Sequence, residues 1–218
     1  MGGTQANKTL GIIGAGKVGT TLGRLALGAG WDVCLSASPQ RAWQSLIVET
    51  MLPGARLLPE PELVAASDII VLAVPISKAT TIDLDALSGK VVVDAMNHWY
   101  PVDGSHDGVA EAPSSSHWVQ ALNPAMRLVK SLNHLGYHDL ETDARPAGHP
   151  ERRAVAAASD DVEARAAVAG LLDDLGFDPL EIPFAEGRHL EGDGPVFGRW
   201  FDTERFAAAL GRARGPAA

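Results

Sequence analysis

Between residues 8 and 132, short apolar runs alternate with stretches whose apolar residues recur every three or four positions. Residues 10–13, 32–35, 56–58, 68–74, 91–95 and 127–132 read as strands. Two of these, DIIVLAVP and KVVVDA, are almost unbroken in apolar character, as in parallel strands covered on both faces. Residues 18–29, 41–51, 61–66, 79–87 and 114–122 read as helices between them. Strand–helix alternation at this spacing predicts an α/β fold built on a doubly wound, mainly parallel sheet.

Beyond residue 132 the pattern loosens. Residues 133–150, polar and rich in His, Gly and Pro, read as a long loop. Residues 153–158 form a strand candidate, and 162–175 a helix led in by Ser159-Asp160-Asp161 and stopped by Gly176. Residues 180–182, bracketed by Pro179 and Pro183, fit a short strand at a sheet edge. Residues 187–198 hold four glycines and read as a loop, and 202–210 as a helix capped by Asp202. The expectation is a main sheet domain over residues 8–132 and a short α/β extension over 133–211.

The strongest local signal is Gly14-Ala15-Gly16-Lys17-Val18-Gly19, directly after the first strand and opening the first helix. In that context Gly14 permits the tight turn, Gly16 lets backbone N–H groups approach a pyrophosphate, and Gly19 allows close helix–strand packing. The helix N-terminus, with its unpaired N–H groups and dipole, favours the anion. A dinucleotide-binding, Rossmann-like domain follows. An acidic residue at the end of the second strand would take the ribose 2′-hydroxyl of NAD. Asp32 instead begins that strand, and its end reads Leu35-Ser36-Ala37-Ser38-Pro39-Gln40-Arg41. Hydroxyls and a guanidinium without a carboxylate suit the 2′-phosphate of NADP(H), with Ser36, Ser38 and Arg41 as candidates. The alternative is that Ser38-Pro39 caps the next helix and Arg41 is solvated. At the end of the fourth strand, Val74, Pro75 and Ile76 offer an apolar lip where ligands of open α/β sheets bind, or only a strand terminus.

Composition narrows the class. The 218 residues are 46% hydrophobic and 21% charged with a net charge of −9, which speaks against nucleic acid as a partner. The longest apolar runs, such as 69–74, are too short for a membrane span, and the opening MGGTQANKT lacks the apolar core of a secretory signal. Cytoplasmic placement is expected. A single cysteine, Cys34, excludes an internal disulfide framework.

Several chemistries are closed. Tyr-x-x-x-Lys is absent, because Tyr100 and Tyr137 are followed at that spacing by Gly104 and Glu141. A catalytic lysine in a large helical second domain has no room, and no G-x-S-x-G elbow is present. Among the seven histidines, His134 and His138 are separated by Gly136, and His98, His106 and His117 share one loop region. No metal is expected. Ser114-Ser115-Ser116 reads as a helix N-cap, with anion binding at that helix end as the alternative.

Further along stand Asp94-Ala95-Met96-Asn97-His98-Trp99-Tyr100-Pro101 and Leu128-Val129-Lys130-Ser131-Leu132-Asn133. With the glycine loop, SASP at strand two and LAVP at strand four, the chain resembles the NADPH-dependent reductases of the deazaflavin coenzyme F-420. The similarity runs from residue 9 to about 198 and includes residues 187–191. It implies NADP(H) on Ala15 to Gly19, Val74-Pro75-Ile76 along the adenosine–ribose side, and Asn97 at the nicotinamide end. It also implies that Asn133, His134 and Leu135 approach the deazaflavin. The Ser-Arg that archaeal members of the family often carry at the end of strand two is here Ala37-Ser38, so Ser36, Ser38 and Arg41 would substitute. Hydride would pass directly between two rings stacked ~3–3.5 Å apart, a positioning effect that needs no nucleophile. Trp99, Tyr100, Leu135, Val196 and Phe197 are expected to line the acceptor pocket, and a homodimer is expected on general grounds. Other readings are an NADP-dependent reductase of a flavin, metal chelate or small carbonyl, or a non-enzymatic NADP-binding redox sensor.

Overall fold

A computed structural model describes residues 8–36, 43–104 and 108–211. The apolar runs become the strands β1 (Thr9–Ile13), β2 (Asp32–Ser36), β3 (Arg56–Leu57), β4 (Ile69–Leu72), β5 (Val91–Asp94) and β6 (Arg127–Lys130). β7 (Ala154–Ala158) and β8 (Asp178–Ile182) complete one eight-stranded sheet in the order β3-β2-β1-β4-β5-β6-β7-β8. Neighbours are parallel throughout except β6 and β7, which meet antiparallel at Lys130 and Ala158. The fold is therefore the expected doubly wound α/β sheet, with its C-terminal part extending the same sheet. The strand order reverses between β1 and β4, the kind of switch point where such sheets bind ligands.

The period of two along each strand sorts side chains onto two cores. Leu10, Ile12, Val71, Val93 and Val129 face one layer, with α1 (Lys17–Gly28), α6 (Tyr137–Thr142) and α7 (Val162–Asp174). Ile13, Ile70, Leu72, Val92 and Leu128 face the other, with α3 (Glu60–Ala66) and α5 (Ser115–Leu122). A third cluster joins Ala154, Ala156 and Ala158 of β7 to Ile182, Leu190, Val196 and Phe206, the last from α8 (Thr203–Ala209). The small β7 side chains admit the 3₁₀ turn Phe184–Leu190, where a Cβ on Gly187 would crowd Ala158 and Lys130 at 3.3 Å. The remaining helices are α2 (Trp43–Met51) and the single turn α4 (Tyr100–Asp103). No helix among the described residues is long and apolar enough to cross a membrane.

Three local expectations are corrected. Residues 79–87 do not make one α-helix but the 3₁₀ turns Ile76–Thr81 and Leu84–Leu87. Consecutive β-branched Thr80, Thr81 and Ile82 resist an α-helix, and Asp83 opens the second turn by accepting from the Ala86 N–H at 3.3 Å. The loop expected over 133–150 contains α6, which Gly136 starts, Asp139 closes back on the Gly136 N–H at 3.2 Å, and a fully buried Leu140 anchors. The loop expected over 187–198 begins inside the 3₁₀ turn Phe184–Leu190 and packs Leu190 and Val196 into the core.

Candidate functional site

The three glycines after β1 answer to different demands. Gly14 sits at φ +120°, donates its N–H to the Ser36 carbonyl at 3.1 Å, and has no room for a Cβ against the Ala73 carbonyl. A Cβ on Gly19 would overlap the Gly14 carbonyl oxygen, so this glycine is what lets α1 lie against β1. Around a Cβ on Gly16, by contrast, there is nothing within 4 Å. Folding therefore does not require a glycine there, and the open space stands at the N-cap of a 12-residue helix that no side chain caps. Unclaimed N–H groups, the helix dipole and an empty cradle are what a pyrophosphate needs, so the residues present fit a dinucleotide. Lys17, in the first turn, points its ammonium at Tyr137, 3.2 Å from the hydroxyl and 4.9 Å from the ring centroid.

The flanking strand ends are placed as follows. Ser36 ends β2 and is buried, whereas Asp32 is exposed at the opposite end of that strand. Ser38 and Arg41 lie outside the described residues. After β4, Val74 is half-buried and Pro75 exposed, but Ile76 is fully buried in the second core. The apolar lip therefore consists of Val74 and Pro75, with the Ile76 side chain turned away from it.

At the ends of β5 and β6 the structure brings together a group that the apolar pattern concealed. Asp94 and Lys130, register partners in adjacent parallel strands, are both fully buried and 3.2 Å apart. Asp94 also accepts from the Met96 N–H at 3.0 Å and from the Ser116 hydroxyl at 2.5 Å, and Lys130 donates to the Met96 carbonyl at 2.6 Å. The available signal was a charge at the C-terminal end of each of two parallel strands, after Val91-Val92-Val93 in β5 and Leu128-Val129 in β6. Above this pair the two asparagines hold each other. Asn97 Nδ2 donates to the Asn133 carbonyl at 2.7 Å, and Asn133 Nδ2 donates to Asn97 Oδ1 at 3.0 Å and to the Leu190 carbonyl at 2.6 Å. Asn133 Oδ1 is buried without a partner. Leu132, just before it, adopts φ +65°, a strained conformation for a branched residue and a feature that clusters at functional sites.

His134 and Leu135 do not face open space. Both ring nitrogens of His134 are buried without partners, the ring lies edge-on to Phe206 at 5.7 Å, and Leu135 belongs to the first core. Burial, then the charges of Arg153 and Lys130, push the imidazole down to about 3, so the ring is neutral. Val196 is likewise core, which removes Leu135 and Val196 from the expected pocket lining.

An open cleft of about 670 Å³ lies instead beside Asn97, walled by residues 98–101, 109, 112–115, 188–189 and 191–195. Trp99 and Tyr100 line it, and Trp99 stands edge-on to Phe197 at 5.5 Å. The helix end at Ser114–Ser116 is occupied by the chain's own anion. Ser114 caps α5 through the His117 N–H, while the Glu191 carboxylate accepts from the Ser115 N–H at 3.0 Å and hydroxyl at 2.8 Å. Among the described residues no group of three or more His, Cys, Asp or Glu stands in an arrangement that could hold a metal.

The sheet order, the glycine turn and the open helix end define a Rossmann-like α/β protein, the kind of fold that seats dinucleotides. Residues 9–98 match the family model described as NADP oxidoreductase, coenzyme F420-dependent, which bears out the resemblance carried by the motifs. A hypothetical protein from Sinorhizobium meliloti superposes with a TM-score of 0.75 at 25% identity, covering 91% of this chain and 97% of that one. A candidate F420-dependent NADP-reductase from Arthrobacter sp. FB24 gives a TM-score of 0.68 at 22% identity, covering 82% and 86%. The 3-hydroxyisobutyrate dehydrogenase of Mycobacterium tuberculosis shares the fold at a TM-score of 0.60 and 14% identity, covering 84% of this chain and 57% of that one. No curated protein matches the chain in sequence.

Proposed function

We propose that this protein transfers a hydride between NADP(H) and the deazaflavin coenzyme F-420. The observation that carries the dinucleotide half is Gly16, which the fold leaves open at an uncapped helix end. In this reading the backbone of Gly14 to Gly19 holds the pyrophosphate, and Ser36 with Ser38 and Arg41 takes the 2′-phosphate. Val74 and Pro75 flank the adenosine–ribose side. Bound NADPH supplies the hydride. The protein's own task is orientation: the Asn97–Asn133 bracket fixes the two loops that meet at the nicotinamide end, and no side chain needs to form a bond. The choice of deazaflavin is supported by the family match over residues 9–98 and by the likeness to the Arthrobacter protein, a candidate F420-dependent NADP-reductase. The segment 133–211 serves as the extension that completes the acceptor side. The working form is a cytoplasmic homodimer, for which sedimentation should return twice the 22.9 kDa chain mass.

The test is to mix purified protein with NADPH and oxidised coenzyme F-420 and to follow the visible absorbance of the deazaflavin, with NADH alongside. Rapid bleaching with NADPH alone is expected. Retained NADPH binding with no bleaching would refute the acceptor, and equal rates with NADH would refute the 2′-phosphate assignment.

A further inference from the structure

Asp94 and Lys130 are fully buried charges that hydride transfer itself does not use. A buried ion pair is no more stabilising than two well-packed apolar side chains, so its presence here calls for another reason. The two strands repeat one arrangement around it. Asp94 ends β5 and Asn97 follows three positions on, and Lys130 ends β6 with Asn133 three positions on. The charges are register partners at the base, and the two asparagines hydrogen-bond each other above them. We propose that Asp94 and Lys130, with Ser116 behind them, are positioning residues: they fix the asparagine bracket and thereby set how tightly the nicotinamide end of the dinucleotide is held. This role rests on the dinucleotide reading above and is independent of the hydride acceptor.

The pair grips the residue before Asn97 by both of its backbone groups. Asp94 Oδ1 accepts from the Met96 N–H at 3.0 Å, and Lys130 Nζ donates to the Met96 carbonyl at 2.6 Å. Opposite charges therefore take opposite polar groups of one residue, and turning that segment over would set the N–H against the ammonium. Met96 is buried, so water does not stand in for either charge, and an apolar pair would leave the N–H and the carbonyl without these partners. From α5, the Ser116 hydroxyl donates at 2.5 Å to Asp94 Oδ2, the same oxygen that meets Lys130 at 3.2 Å, which fixes the rotation of the carboxylate.

The β6 side is held as closely. Ser131 donates its N–H to the Asp94 carbonyl at 3.3 Å and its hydroxyl to the Ala156 carbonyl at 2.7 Å. Leu132 is kept at φ +65° between this anchor and Asn133, a conformation that persists only where its surroundings over-determine it. Asn133 Oδ1, at the top of the arrangement, is buried without a partner, an unmet acceptor of the kind a ligand amide satisfies.

The test compares, by titration calorimetry, NADPH with 2′-phospho-ADP-ribose, which keeps the phosphates and the adenosine and lacks the nicotinamide. The wild type should bind NADPH about tenfold more tightly. Asp94→Asn/Lys130→Met, which leaves no unpaired buried charge, should bring NADPH down to the affinity of 2′-phospho-ADP-ribose and leave the latter unchanged. A merely structural role would weaken both ligands together, and that result would overturn the proposal. Asn97→Ala should show the same selective loss, and adding it to the double variant should change nothing further, because the charges act through that asparagine. Ser116→Ala keeps both charges paired and should lose about threefold of the preference, which carries the test if the double variant does not fold. A full preference for NADPH in the folded double variant and in Ser116→Ala, or none in the wild type, would overturn the positioning role and leave the phosphate cradle standing. Failure of the wild type to bind either ligand would overturn the dinucleotide reading itself, and this role with it.

Discussion

A single methyl group or proton separates the roles of neighbouring residues here. Gly16 and Gly19 belong to one motif, yet only Gly19 is demanded by packing. Gly19→Ala forces a Cβ into the Gly14 carbonyl and should cost about 1–3 kcal/mol, a fall of several degrees in Tm by calorimetry. Gly16→Val should leave Tm within a degree or two of wild type and abolish NADPH binding measured by fluorescence titration. If Gly16→Val kept its affinity, the open cradle would not be a phosphate site. His134 makes a second prediction at this scale. Its ring stays neutral in the folded state down to about 3, while in the unfolded chain it takes up a proton near 6.5. The unfolded state therefore binds more protons between these values, and stability is held in full above 6.5 and lost as pH falls through that window. The slope is at most about 1.4 kcal/mol per pH unit. His134→Leu should flatten the difference between urea midpoints at pH 7.5 and pH 5 relative to wild type.

Among elements, the decisive joint is between β5 and β6. A buried ion pair is expensive in a sheet that could have been apolar, and Asp94–Lys130 also gathers the Met96 carbonyl and Ser116 of α5. It ties the loop bearing Asn97 to the helix that backs the cleft. Lys130→Met leaves Asp94 buried without its cation and should destabilise by about 3–5 kcal/mol. The double variant Asp94→Asn/Lys130→Met should regain much of that loss in urea denaturation. Comparable Tm values for Lys130→Met and wild type would mean that the pair is not coupled to the fold. Glu191 plays the corresponding part for the opposite wall, because its carboxylate satisfies an α5 N–H that would otherwise invite an external anion.

On the scale of the whole molecule, ligand binding and stability are linked. A dinucleotide seated at the switch point contacts only the folded chain, so NADPH at about a hundred times its Kd should add about 2.7 kcal/mol. For a chain of 218 residues that is a rise of roughly 5–11 °C in Tm. NADH at the same concentration should shift Tm less, and Gly16→Val should not respond to either. An equal shift with both cofactors would remove the 2′-phosphate preference argued from the end of β2.

The sequence by itself determined the sheet, its direction and its glycine turn, because near-continuous apolar runs, helical periodicity and Gly14-Ala15-Gly16-Lys17-Val18-Gly19 are local signals. It also separated Asp32, at the start of β2, from the ribose end of that strand. What only the tertiary structure decided concerns side chains whose meaning depends on distant partners. Asn97 and Asn133, thirty-six positions apart, satisfy each other. Glu191 reaches back to Ser115, and Lys130 to Asp94. Ile76, His134, Leu135 and Val196 turn into the core rather than toward a ligand, and α6 forms where composition suggested a loop, because burial of Leu140 outweighs the weak propensity of a short polar segment. A motif fixes where the backbone goes, but which of its side chains remain accessible depends on what the rest of the chain packs against them.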